Sequence, residues 1–280
     1  MKIRSTQAKS ILTPQKRGFL RAGERPYTHS LSWATGCQLG ALYCGAYCYA
    51  QMLPNWHFGR RAGEAWGDAL IIKENAPELL ERQLSRARDR RGMRIFMSPV
   101  TDPYQPIERK LRLTRRCLEV FATYDDLDLL LIQTRAPAVL DDLELIGAIP
   151  YAWLGMTIET DRHDLPYGPT KSQVERRLGA VQRAVAYGIS AQIAVSPCLP
   201  YSDAFAERLL ETGAQRIVID TFAVGDGSRG ARTGKSPFAA LADYDWRDDE
   251  IAIRLYQQLR AGHEAVEWSG AGFAGIPGRA

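Results

Sequence analysis

Long apolar runs are missing from this 280-residue chain. No stretch approaches the ~18 consecutive apolar residues that a membrane-spanning helix requires. The N-terminus also lacks the apolar core of a secretory signal. A soluble, cytoplasmic chain with no membrane partner is therefore expected. No internal repeat and no compositional break marks a second domain. Hydrophobic residues at 45% and charged residues at 24% are ordinary globular proportions, which excludes a fully disordered or fibrous chain. Acids are nearly absent from residues 1–25, where Lys2, Arg4, Lys9, Lys16, Arg17, Arg21 and Arg25 face only Glu24. That segment carries +6 in a chain of net charge +4, leaving −2 on the remainder. A basic arm on a near-neutral body suits contact with phosphates. The same composition also matches a transit segment, a reading placed below a folded or docked arm.

Short apolar runs alternate with longer amphipathic segments. Strands are expected at Ser30–Ala34, Arg94–Met97, Leu129–Gln133, Ala152–Ile158, Ala191–Val195 and Arg216–Asp220, with a short extra strand at Ala69–Ile72. Between them lie helical stripes: Leu111, Cys117, Leu118 and Phe121; then Val139, Leu140, Leu143 and Ile146; then Val174, Leu178, Val181 and Val185. Asn75-Ala76-Pro77-Glu78 reads as a capping box opening a helix that runs to about Arg88. A further helix starts at Asp248-Asp249-Glu250, acids that suit a helix N-terminus. Such alternation signals βαβ units, and six of them predict an α/β fold, an open partial (β/α)6 TIM-like barrel. The expected organisation is a basic N-terminal arm over 1–28, the barrel with its C-terminal helical extension over 29–262, and a flexible tail over 263–280.

Five cysteines in such a chain are not expected to pair as disulfides. Three of them, Cys37, Cys44 and Cys48, fall within a dozen residues just after the first strand, the rim where parallel barrels place their chemistry. Three thiolates on one loop suit three corners of a four-iron cluster and leave the fourth iron open. The alternative is a structural zinc or iron–sulfur protein without catalysis, with His29 or His57 as the fourth zinc ligand. Zinc, however, usually draws on closely spaced cysteine pairs from two loops.

Gly36-Cys37 followed by Tyr47-Cys48-Tyr49-Ala50 resembles the cluster loop of radical S-adenosylmethionine (radical SAM) enzymes, in the branch related to spore photoproduct lyase. The resemblance extends to Lys9-Ser10-Ile11-Leu12, Gly18-Phe19-Leu20, Ile72 to Leu80, and the rim segment Val100-Thr101-Asp102-Pro103-Tyr104-Gln105-Pro106 with Glu108-Arg109-Lys110. The branch spaces its cysteines C-x3-C-x2-C, whereas this chain has C-x6-C-x3-C, with Gly40 and Gly45 among the added residues.

The resemblance implies a 4Fe-4S cluster on Cys37, Cys44 and Cys48, and S-adenosyl-L-methionine cleaved reductively to a 5′-deoxyadenosyl radical that abstracts hydrogen from a substrate. It implies an electron donor such as flavodoxin or ferredoxin. Nucleic acid leads as the substrate class, and a peptide or small molecule stays open. Cofactor-binding positions then fall at successive strand ends. Ser98, Thr101 and Asp102 would meet the methionine amine and Arg135 its carboxylate. Thr157 and Glu159 would meet the ribose, Ser196 would border the adenine, and Tyr47 would lie on the cluster loop. Asp102 before Pro103 reads equally well as a turn cap. Cys198 is the candidate hydrogen-atom donor and Cys117 a core residue. The spore photoproduct enzyme carries its donor cysteine just after the second strand, where Ser98-Pro99-Val100-Thr101 has none, so lesion repair itself is not implied. Gly230 to Ser236 lacks the glycine spacing of a phosphate loop and reads as a basic rim loop.

Overall fold

Runs of four to six apolar residues bury both faces when they form parallel strands, and that is what they do here. The computed structural model describes residues 1–42, 44–225, 227–268 and 273–278. Its strands are β1 (Lys2–Thr6), β2 (Leu12–Pro14), β3 (His29–Leu31), β4 (Ala34–Thr35), β5 (Ala69–Lys73), β6 (Arg94–Met97), β7 (Leu129–Thr134), β8 (Ala152–Thr157), β9 (Ser190–Val195), β10 (Arg216–Ile219) and β11 (Val266–Trp268). The main sheet has the order β11-β10-β9-β8-β7-β6-β3-β2. All neighbours in it are parallel except β2, which runs antiparallel to β3 at the edge. The six expected parallel strands are thus present, adjacent and in chain order.

The first expected strand, Ser30–Ala34, divides. His29–Leu31 pairs with β6, while Ala34–Thr35 turns away to pair antiparallel with β5 in a second, three-stranded sheet. Trp33 sits at the division, fully buried, with its indole N–H donating to Thr114 Oγ1 at 2.9 Å. The third strand of that small sheet is β1, parallel to β5, so the basic N-terminal segment is woven into the body. Arg4 anchors it through Glu64, at 2.5 and 3.0 Å.

Each face of the main sheet is covered differently. One face packs under helices, including Ala76–Ser85, Leu113–Phe121, Lys171–Ala186 and Glu250–Arg260. Leu130, Ile132, Leu154 and Ile193 meet Cys117, Leu118, Phe121, Val174 and Leu255 in one apolar core. The opposite face holds Phe96, Leu129, Leu131, Ala194 and Val218. It is closed at one end by Leu20 and Tyr27 from the N-terminal segment and by Phe273, Ala274 and Ile276 from the C-terminal segment. Arg94 ties that segment down, its Nη2 donating to the Ile276 carbonyl at 2.5 Å.

Part of the expected tail is therefore ordered. Val266–Trp268 adds β11 beside β10, and Phe273, Ala274 and Ile276 are buried. Residues 269–272 and 279–280 lie outside the described residues. Small helical signals also moved. Asn75 makes no side-chain cap, because its amide bonds both the N–H and the C=O of Ala8, at 2.9 and 3.0 Å. The reciprocal capping box forms instead at Thr170 and Gln173, opening the helix Lys171–Ala186. Among the described residues no helix is long and apolar enough to cross a membrane.

Candidate functional site

Side chains alternate across a strand, so residues two apart share a face. Phe96 and Ser98, Leu131 and Gln133, Gly155 and Thr157, and Ala194 and Ser196 follow that rule on the face without helices. Toward the carboxyl ends of the strands the apolar partners give way to polar ones. There a cavity opens, lined by Ser98, Thr101, Asp102, Gln133, Arg135, Thr157, Ser196 and Asp220 from the sheet side. Cys37, Cys44, Tyr47, Cys48 and Tyr49 line it from the loop.

The cysteine loop is braced rather than free. Tight turns at Gln38–Ala41 and Cys44–Ala46 fold it back on itself. The rim segment holds it: Thr101 Oγ1 donates to the Gly36 carbonyl at 2.7 Å and accepts from Gln105 Nε2 at 2.9 Å. Gln105 Oε1 accepts from the Gln38 N–H at 2.9 Å, and Gln38 Oε1 accepts from the Ile107 N–H at 2.6 Å. Tyr49 donates to the Pro99 carbonyl. Gln105, fully buried, is a bracing residue that sequence reasoning left within its motif without a role.

Asp102 serves the same brace. Its Oδ1 accepts from the Tyr104 N–H at 2.8 Å and from Thr134 Oγ1 at 2.7 Å, and its Oδ2 from the Arg135 N–H at 2.7 Å. The turn-cap reading of Asp102 is thus present in the structure. Three of a carboxylate's four or so acceptor sites are occupied.

Glu159, read as a ribose contact, lies fully buried behind the cavity wall rather than in it. Oε1 accepts from Arg135 Nε at 2.6 Å and Tyr47 Oη at 3.1 Å, and Oε2 from Arg177 Nη1 at 2.9 Å. The carboxylate that looked unpaired in the sequence therefore carries two guanidinium partners. Arg135 reaches further, donating from Nη2 to the Ser196 carbonyl at 3.1 Å. Arg177 lies inside the helical stripe that includes Val174 and Val181, and periodicity alone gave no sign that a buried cation belonged there.

Burial pushes the three thiols up, Cys37 to about 12 and Cys44 further. Several groups oppose it. Arg135 lowers Cys44 and Cys48; the main-chain N–H groups of Asp102 and Leu39 act on Cys37, and those of Ala50 and Gln51 on Cys48. Cys37 and Cys44 also feel the charge of Cys48, and Cys44 that of Cys37. Among the described residues, no three His, Cys, Asp or Glu side chains stand close enough as they are to hold a metal ion. The donor chemistry still suits a soft, thiolate-bound metal: Cys37, Cys44 and Cys48 all line the cavity, with Arg135 the cation nearby. The zinc alternative lacks its histidine, since neither His29 nor His57 lines the cavity.

Ser98, Thr101, Asp102, Arg135, Thr157, Ser196 and Tyr47 all come together at the cavity. Cys198 does not. It is buried in the helix-side core with its sulfur near its neighbour's carbonyl, that of Leu199. Gln133 and Asp220, which sequence reasoning passed over, do line the cavity; Asp220 Oδ2 accepts from Ser196 Oγ at 2.9 Å.

The fold is α/β, and its cavity opens at the carboxyl ends of a parallel sheet. In particular, the fold is similar to that of spore photoproduct lyase. One variant of that enzyme superposes with a TM-score of 0.61 at 13% identity, over 95% of this chain and 81% of the other. The enzyme complexed with dinucleoside spore photoproduct gives 0.60 at 14%, with the same coverage. The chain is also 29% identical over 168 residues to an uncharacterized protein of Methanocaldococcus jannaschii. That match spans 58% of each sequence, less than two thirds of the relative's length. No family model matches the chain.

Proposed function

We propose that the chain is a radical SAM enzyme of the spore photoproduct lyase-like branch, its sheet serving as the partial barrel of that class. The observation that carries this reading is the meeting of Cys37, Cys44 and Cys48 with the polar strand ends in one cavity. Three cysteines would hold a 4Fe-4S cluster, and the reading requires their loop to close the sulfurs on it. When bound, the cluster and S-adenosyl-L-methionine supply reductive cleavage to a 5′-deoxyadenosyl radical.

The chain's own residues bind and orient. Arg135, clamped by Glu159, presents a fixed guanidinium beside the thiols, suited to a ligand carboxylate. Ser98 and Thr157 offer hydroxyls at neighbouring strand ends, and Ser196 borders the far side with Asp220. Thr101 and Asp102 hold the loop in place. Tyr47 closes one wall, packed edge-on against Phe222 and Phe238 at 6.2 and 6.0 Å, which keeps water from the interior. Cys198 is given no part. Nucleic acid is the proposed substrate class, on the strength of the basic N-terminal segment, with flavodoxin or ferredoxin as electron donor and the cytoplasm as location. The test is anaerobic incubation of the reconstituted chain with S-adenosylmethionine and dithionite. Release of 5′-deoxyadenosine supports the reading, and its absence from iron-loaded protein ends it.

A further inference from the structure

The cysteine loop also reaches the surface. Leu42, two residues before Cys44, is 60% exposed. Near the loop runs the short helix Pro54–Gly59, whose Phe58 is 84% exposed. A single open apolar ring is ordinary on a protein surface. This one stands among cations.

Contacts tie these residues into one face. Arg4 Nη2, on β1, donates to the Gly59 carbonyl at 3.3 Å, next to Phe58. Lys2 lies two residues from Arg4, on the same side of that strand. Its N–H donates to the Asp68 carbonyl at 2.7 Å. Gly67 packs so closely on the cysteine loop that a Cβ there would stand 2.5 Å from the Ala41 nitrogen. Over residues 2–6 and 54–68 the charged side chains are Lys2, Arg4, Arg60 and Arg61 against Glu64 and Asp68. Glu64 is buried and already bonded by Arg4, at 2.5 and 3.0 Å. The face is therefore cationic.

It is also close to the thiols. Trp56, buried on the helix that carries Phe58, meets Trp66 edge-on at 5.1 Å. A Cβ on Gly36, the neighbour of Cys37, would stand 3.2 Å from the Trp56 ring. Trp66 lines the cavity together with the three cysteines. Two indole rings thus link the helix of Phe58 to the cysteine loop.

We infer that this face docks a small acidic protein that carries single electrons, with Phe58 and Leu42 as apolar contacts and Lys2, Arg60 and Arg61 as the free cations around them. Electron transfer weakens steeply with distance, so a carrier seats where the accepting centre lies nearest the surface, and here the cysteine loop itself is exposed. The carrier gives up one electron and the centre held by the thiols takes it, with no bond made or broken at the face. Such interfaces are small, and complementary charge sets their rate of association. The inference rests on the proposed function and deepens it by locating the partner.

Flavodoxin is the probe. Titration of its oxidised form into the apo chain, followed by NMR, is expected to show binding at low ionic strength that weakens at least tenfold by ~0.5 M salt. Lys2→Glu combined with Arg61→Glu, and separately Phe58→Ser, are expected to weaken it about tenfold. Arg176→Glu combined with Arg183→Glu makes the same charge change at exposed positions of the helix Lys171–Ala186 and is expected to leave binding unchanged. Thermal midpoints establish that each variant is folded. In iron-loaded protein the face variants are expected to lose about tenfold in 5′-deoxyadenosine release driven by photoreduced flavodoxin. They should keep wild-type release with dithionite, a small reductant that needs no docking face. No release from wild type with dithionite strikes the proposed function, whereas the titration decides the docking face by itself. The inference is overturned if wild type does not bind flavodoxin at low salt, if the Arg176 and Arg183 control weakens binding as much, or if the folded face variants bind like wild type.

Discussion

Gly45 lies against Gly40 so closely that a Cβ on Gly45 would stand 1.9 Å from the Gly40 carbonyl oxygen. Gly40 in turn faces the Trp66 indole, 2.4 Å from where its own Cβ would be. The residues that stretch the intervals between the three cysteines are taken up in this back-to-back fold. The glycines are what permit it, since any side chain at either position would push the turns apart.

Gly45→Ala should therefore disrupt the cysteine loop while sparing the helix-packed core. Iron uptake on anaerobic reconstitution should fall several-fold, with far-UV circular dichroism unchanged. Gly179 provides the control. It sits in the helix Lys171–Ala186 with nothing within 4 Å of its would-be Cβ. Gly179→Ala should leave iron uptake intact and raise stability by ~0.5–1 kcal/mol, the helix propensity difference.

Glu159 joins the cysteine loop to the sheet and to a helix through Tyr47, Arg135 and Arg177. Glu159→Gln would remove the carboxylate charge that both guanidinium groups bond, Arg177 almost entirely buried. The expected loss is ~3–5 kcal/mol in urea denaturation, typical of breaking a buried ion pair by removing one partner. A loss under ~1 kcal/mol would mean the network is solvated rather than dry.

Glu108 gives the chain a pH signature. Burial pushes its carboxyl up to about 7, although the N–H groups of Leu113, Thr114 and Arg115, at 3.1, 2.7 and 3.2 Å, oppose the rise. The folded state thus holds a proton that the unfolded chain releases at ~4.3. Stability from this group is complete below that lower value and is lost as the pH rises through about 7. Wild type should lose stability relative to Glu108→Gln between pH 5 and 8 in paired denaturation midpoints. A constant difference would show that the carboxyl titrates normally.

How the sequence and the structure divided follows from what each residue needs. Apolar runs such as Leu129–Gln133 announce buried strands by themselves, and the observed β7 differs only by including Thr134. Cys117 was legible as core from its place in a helical stripe, and it is fully buried. Arg177 was not legible, because its partner is 18 residues away and the pair exists only once β8 and the helix meet. Gln133 escaped notice for the same reason: its meaning depends on an absent side chain at Gly155 in the neighbouring strand. The Asn75 cap failed because a nearer competitor, the Ala8 backbone, took its amide. Long-range polar pairing leaves little periodic trace, and the site is built from it.

The most direct test of the central claim is the iron content of the anaerobically reconstituted chain with each of its five cysteines replaced by alanine in turn. The account gives ~4 irons per chain for wild type, retained in Cys117→Ala and Cys198→Ala and lost in Cys37→Ala, Cys44→Ala and Cys48→Ala. Full iron retention in any of those three variants, or wild-type protein that takes up one zinc and no iron, would contradict it.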